Sequence, residues 1–106
     1  MTEQEFRLRA DEGYKAAETM REQLLPLADE ADLEIDRRNG VLQLVFEEPT
    51  PAKFVVSPNA PVQQIWVSAL SRSYKLAWSD DAATFELNGE HLGTLVERLA
   101  RQHLTS

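Results

Sequence analysis

The sequence predicts an α+β fold: a two-layer α/β sandwich with N- and C-terminal helices packed on one face of an antiparallel sheet. Apolar residues recur at helical spacing over the first 25 positions and again from position 92, whereas between positions 32 and 87 they alternate with polar ones at a period of two. The connections between the alternating runs are too short for crossover helices, so neighbouring strands must run antiparallel. The chain has 106 residues, one domain over residues 1–106, and its 42% hydrophobic and 27% charged residues suit a globular domain with a core.

Thr2 followed by Glu5 forms a capping box, and behind it Phe6, Ala10, Tyr14, Ala17 and Leu24 fall on one arc of a long amphipathic helix. Asp11, Glu18 and Glu22, related as i, i+7 and i+11, line a stripe about 40° wide that borders this arc. Glu3/Arg7, Glu5/Arg9 and Asp11/Lys15 stand at i, i+4 and compensate one another, so the uncompensated acid lies at the helix end. Pro26 ends or kinks the helix near Leu25, and residues 27–31 form a short acidic connection.

From Asp32 onward Leu33 and Ile35 alternate with Asp32, Glu34 and Asp36, which predicts a half-buried strand with three carboxylates on its open face. Asn39-Gly40, after Arg37-Arg38, marks a hairpin turn, and residues 41–47 return with Leu42, Leu44 and Phe46 facing one way. Pro49 and Pro51 punctuate a loop, after which 54–56, 63–68, 74–78 and 84–87 read as short strands. Asn88-Gly89 then precedes Leu92, Leu95, Val96 and Leu99, a second amphipathic helix that frays near His103.

The net charge of −7 belongs entirely to residues 1–36, where eleven carboxylates face four bases; residues 37–106 balance. Such a gradient argues against direct nucleic-acid or anionic-membrane binding and for a cationic partner, either metal ions or a basic protein surface. From charge alone a solvated acidic face, or charges that blunt an edge strand, is the simpler reading. No cysteine is present, which excludes disulfides, thiolate metal sites and cysteine nucleophiles. His91 and His103 lie on one helix and read as surface residues, and there is neither a nucleophile elbow nor a phosphate-cradling loop, so no enzyme is expected. No apolar run approaches the roughly 20 residues that span a bilayer, and the acidic N-terminus is unlike a presequence, which predicts a cytoplasmic protein.

If the first strand runs beside the helix end, Glu18, Glu22, Asp32, Glu34 and Asp36 form a ridge of hard oxygen ligands suited to Fe, Mn, Mg or Ca, open and weak. With Ile65 and Val67 in the core, the alternation turns Gln64, Trp66 and Ser68 to the wet face, where an exposed Trp is a natural interface anchor. Trp78, in register with Tyr74 and Leu76, reads as core.

An acidic N-terminal helix, an acidic first strand, an Asn-Gly hairpin, the run Pro61-x-x-Gln64-Ile65-Trp66 and a C-terminal amphipathic helix, in this order, resemble frataxin, and the size resembles its bacterial branch. The resemblance covers essentially the whole chain, and the Pro-x-x-Gln-Ile-Trp run is its most specific part. It implies an α-β-α sandwich, weak binding of iron (Fe2+ or Fe3+) on the ridge, and association with the cysteine desulfurase and the scaffold protein of iron-sulfur cluster assembly. A protein so described acts as iron donor or regulator rather than as a turnover enzyme, as a monomer or as an iron-dependent oligomer. Glu18, Glu22, Asp32 and Glu34 match acidic-ridge positions, and Asn59, Gln64 and Trp66 match the sheet surface that meets the scaffold. The chain departs at Ser57, at Asn59, at Arg72-Ser73 in place of a Gly-rich turn, and at Leu24 to Leu27 in place of a densely acidic stretch. A metal-independent acidic adaptor docking on a basic protein is the alternative, and an acidic nucleic-acid mimic leaves Trp66 unexplained.

Overall fold

The computed structural model describes residues 1–24 and 27–105. Helix α1 (Glu3–Gln23) and the short α2 (Leu27–Glu30) lead into β1 (Glu34–Arg38), β2 (Val41–Phe46), β3 (Ala52–Asn59), β4 (Gln64–Ala69), β5 (Arg72–Ser79), β6 (Thr84–Leu87) and β7 (Glu90–His91), followed by α3 (Leu92–Leu104). Among the described residues the seven strands form one antiparallel sheet in chain order, with β1 at one edge and β7 at the other. Both long helices lie on the same sheet face, as expected for the two-layer sandwich: α1 buries Phe6, Ala10, Tyr14, Ala17 and Met20, and α3 buries Leu92, Leu95, Val96 and Leu99. The sheet meets them with Leu42, Leu44, Phe54, Val56, Ile65, Val67, Leu76 and Phe85. Gly93 lets the helices close up, since a Cβ there would stand 3.3 Å from the Ala16 carbonyl oxygen.

Thr2 caps α1 as expected, its Oγ1 accepting the Glu5 N–H at 3.1 Å. The break expected near Leu25 and Pro26 falls outside the described residues, and the expected connection after it contains the helical turn α2. The first strand starts at Glu34 rather than Asp32. Asp32 takes the left-handed conformation (φ 52°), because Ala31 turns its carbonyl to accept the N–H groups of Glu47 and Glu48 at 2.9 and 3.3 Å. The second Asn-Gly pair is itself a hairpin turn, with φ of 53° at Asn88 and 81° at Gly89, and it joins β6 to β7 before α3 begins. A two-residue strand is too short to show alternation in sequence.

Two buried-face expectations need correction. His103 is not a surface residue at a frayed end: it is 5% exposed, its Nε2 lies 3.0 Å from the Thr50 carbonyl oxygen, and its ring stands edge-on to Phe46 at 5.0 Å. It follows Leu99 by four residues and Val96 by seven, which places it on the apolar arc. Trp78 does face the helices, but only half-buried. Its indole packs against Phe85 at 5.3 Å and under the Arg9 guanidinium at 5.5 Å, while its Nε1 donates to Asp80 at 2.9 Å at the sheet margin.

The β4–β5 turn falls at Leu70-Ser71, one pair earlier than Arg72-Ser73, which lie in β5 with Arg72 opposite Ala69. Leu70 and Ser71 both adopt positive φ, 52° and 64°, where the other two-residue turns use Asn-Gly. A left-handed residue with a Cβ is strained, by roughly 1–2 kcal/mol, and glycine is not. Ser71→Gly is therefore expected to stabilise the fold by about 1 kcal/mol. Urea unfolding checks this, and a lowered midpoint would show that Ser71 makes compensating contacts.

Candidate functional site

Because α1 must bury its apolar arc, the stripe of Asp11, Glu18 and Glu22 is held at the flank of the helix layer. Strand β1 is the sheet edge beside it. Alternation along β1 turns Ile35 and Arg37 toward the helices and leaves Glu34, Asp36 and Arg38 exposed on the opposite side. Arg37 therefore reaches α1 rather than water. Its Nη1 donates to Asp11 Oδ1 and its Nη2 to Glu18 Oε1, and its guanidinium lies over the Tyr14 ring at 5.3 Å. The Arg37 side chain is 29% exposed. This arginine, with help from Lys15 Nζ at 3.3 Å, holds the Asp11 carboxyl below the usual carboxylate range. Tyr14 beneath it is buried, and burial pushes its hydroxyl above the ordinary range.

The predicted ridge is thus divided. Glu18 is bound to Arg37, whereas Glu22, Asp32 and Glu34 are exposed and have no ion-pair partner among the described residues. Asp36 pairs with Arg38 at 2.7 Å, and Arg21 pairs with Asp29 at 2.9 Å. The i, i+4 pairs Glu3/Arg7 and Asp11/Lys15 form, but Arg9 turns to Glu12 at 3.1 Å instead of Glu5. Among the described residues no three His, Asp or Glu side chains stand close enough to enclose one metal ion. The donors are hard oxygens, the ligand type that suits iron, manganese or magnesium, and an ion held there would need water to complete its shell. Sequence reasoning missed Arg37, which reads as part of the turn run. Its signal was available, since it follows Ile35 by two and so shares Ile35's face.

The second surface is the open face of the sheet. Register places Asn59 directly opposite Gln64, Ser57 opposite Trp66, and Trp66 opposite Lys75. The Trp66 Nε1 donates to Gln64 Oε1 at 2.9 Å, and Lys75 Nζ lies over the indole at 4.9 Å. The three residues expected to meet a partner, Asn59, Gln64 and Trp66, are therefore contiguous. Trp66 is 37% exposed, and beside it lies a shallow depression of about 200 Å3 lined by Val55, Ser57, Ser68, Ser73 and Lys75. The indole is held by its two neighbours with its outer surface free, which preorganises an anchor.

A sheet covered on one face by two terminal helices, acidic along one edge and carrying an exposed tryptophan on its open face, defines an α+β sandwich with two exposed surfaces of different chemistry. The family model described as the frataxin-like domain matches residues 1–106, and the chain belongs to that family. It is similar to the iron-sulfur cluster assembly protein CyaY of Shewanella sp. (strain ANA-3), 35% identical over 80 residues that cover 76% of this chain and 71% of that one. The protein of the same name from Paraburkholderia phymatum is 32% identical over 102 residues, 96% of this chain and 90% of that one. The solved structure of frataxin from Psychromonas ingrahamii superposes with a TM-score of 0.74 at 22% identity, covering 96% of this chain and 90% of that one, and carries the fold. No helix among the described residues is long and apolar enough to cross a membrane.

The two tryptophans are expected to respond differently to truncation. Trp66→Ala should leave the thermal midpoint nearly unchanged, because the open face loses little packing. Trp78→Ala should cost about 2 kcal/mol, below the 3–5 kcal/mol of a fully buried aromatic, because its indole is only partly buried at the sheet margin. Thermal unfolding of both variants checks this, and a larger loss for Trp66→Ala would reverse the assignment of faces.

Proposed function

We propose that this chain is an iron-binding accessory protein of iron-sulfur cluster assembly, acting as iron donor or regulator on a complex of cysteine desulfurase and scaffold protein. The observation that carries the proposal is the separation of two surfaces by one layer arrangement: an acidic α1/β1 edge and an open sheet face on which Trp66 stands beside Gln64 and Lys75. The similarity to the iron-sulfur cluster assembly proteins of Shewanella and Paraburkholderia supports the assembly role.

Iron is cargo here, taken at Glu18, Glu22, Asp32 and Glu34. Glu22, Asp32 and Glu34 are the members without an ion-pair partner among the described residues, and Glu18 contributes to the extent that it leaves Arg37. Few protein ligands and a mostly aqueous shell make binding weak, which suits a carrier that must release its ion. Exposed carboxylates also discriminate little among divalent ions, so Mn2+ and Co2+ should occupy the same positions. A basic patch on the desulfurase complements the acidic edge, while the scaffold packs on Asn59, Gln64 and Trp66, where truncating the anchoring Trp66 costs about 2 kcal/mol or more of affinity.

The reading as a metal-independent acidic adaptor draws support from the Arg37 bridge, which spends two carboxylates on protein structure. Anaerobic Fe(II) titration followed by amide signals separates the two. The iron reading expects broadening centred on Glu22, Asp32 and Glu34, abolished in a folded Glu18→Lys/Glu22→Lys variant. Absence of any broadening on the edge would favour the adaptor, and tight iron-selective binding at His91 would refute the edge assignment.

A further inference from the structure

The stripe on α1 is continuous in sequence but not in charge. Of the positive side chains near it, Lys15 is a flexible ammonium on the same helix and Arg21 is turned to Asp29. Arg37 alone among the described residues comes from another element and touches two stripe carboxylates at once, Asp11 and Glu18, which are seven residues apart and so two turns of helix. The placement is reinforced from below, since the guanidinium stacks on the buried Tyr14 ring and its stem starts from a paired residue of β1, Arg37 being opposite Leu42. A guanidinium held by two carboxylates and an aromatic ring is preorganised: its rotamer is fixed before any ion arrives.

We infer that Arg37 is a built-in cation of the acidic edge, which closes the Asp11–Glu18 half of the stripe to metal ions and confines metal capture to Glu22, Asp32 and Glu34. The inference rests on the reading of the edge as a metal-binding surface. Two effects produce the closure. The guanidinium already takes an oxygen from each carboxylate, so a metal must first break a charge-assisted hydrogen bond. Its positive charge also repels a dication arriving within about 4 Å, an interaction of roughly 1 kcal/mol per unit charge even at the dielectric constant of water. Lys15 cannot substitute, because an exposed i, i+4 ammonium is mobile and screened. The edge is thereby graded along its length, with the metal-accepting end at the α1 terminus and start of β1 and a neutralised end beside the β1–β2 turn.

Mn2+ titration of the full chain, followed by paramagnetic broadening of amide signals, tests this with Arg37→Gln and Arg37→Lys beside the unaltered protein. The unaltered protein should show broadening at Glu22, Asp32 and Glu34 and not at Asp11 or Glu18. Arg37→Gln should extend broadening to Asp11, Lys15 and Glu18 and tighten Mn2+ binding on the order of tenfold. Arg37→Lys should fall between, since it keeps the charge and loses the fork. If Arg37→Gln does not fold, Asp11→Asn in the otherwise unaltered chain serves instead, and its Mn2+ affinity should be unchanged. Equal broadening at Asp11 and Glu22 in the unaltered protein, no extension in Arg37→Gln, or weakened binding in Asp11→Asn would overturn the inference. Edge broadening in the unaltered protein with no extension in Arg37→Gln sinks the inference and leaves the iron reading intact. Broadening that appears only in Arg37→Gln would overturn capture at Glu22, Asp32 and Glu34, and with it both the inference as stated and the iron reading.

Discussion

Both long helices must bury their apolar arcs against the same face of one sheet, and every exposed feature of the molecule is what that constraint leaves over. The helix face consumes Phe6, Tyr14, Leu95 and Leu99, and with them the inward residues of β2 to β6. At 25 cal/mol per Å2 the area so removed from water is the largest favourable contribution to folding, and it dictates orientation for the rest. Residues one step off the arc, such as Asp11, Glu18 and Glu22, are pinned to the flank. Residues one step off the inward strand positions, such as Gln64, Trp66 and Lys75, are pinned to the open face. Two surfaces of different chemistry thus arise without any further specification.

The Arg37 bridge changes what the acidic flank is. Without it the stripe would be a run of mutually repelling carboxylates beside a strand edge that carries more of them. With it, α1 is tied to β1 through charge, and part of the acidity becomes structural. Arg21 takes Asp29 at 2.9 Å and Arg38 takes Asp36 at 2.7 Å, so among the described residues the ridge acid without an ion-pair partner is Glu22, Asp32 and Glu34. A weak, hydrated cation site and a surface that attracts a basic protein are compatible uses of that remainder, because both need unpaired carboxylates that are not enclosed.

The fold was legible wherever a period ran long enough to register. The arc of α1, the inward Leu42, Leu44 and Phe46 of β2, and the bounds of β6 follow directly from spacing and turn residues. What escaped were short or terminal features whose placement depends on neighbours. Strand β7 has two residues, so only its Asn88-Gly89 turn announced it. His103 was taken for surface on residue type, although its position four residues beyond Leu99 marks it as core. The four candidate metal residues and the three partner residues were legible as separate lines of side chains. The register joined the partner residues into one patch, but among the described residues it did not gather the carboxylates into one cluster. Alternation with Ile35 gives the face that Arg37 takes, but which carboxylates it reaches depends on a contact 26 positions away at Asp11.

The claim on which the account depends is that the flank acts through its own unpaired charge, not through the acidity of the chain as a whole. The most direct measurement is the affinity for a cysteine desulfurase by calorimetry across a salt series, with Glu18, Glu22, Asp32 and Glu34 neutralised in one variant and Asp81 and Glu86 in another. Exposed charges are screened over about 10 Å at 0.1 M salt and about 3 Å at 1 M, so affinity should fall steeply with salt in the unaltered protein. The first variant should bind as weakly at low salt as the unaltered protein does at high salt, and the second should bind normally. Salt-insensitive binding, or equal loss in the two variants, would contradict the claim and reduce the charge gradient to a means of keeping the protein soluble.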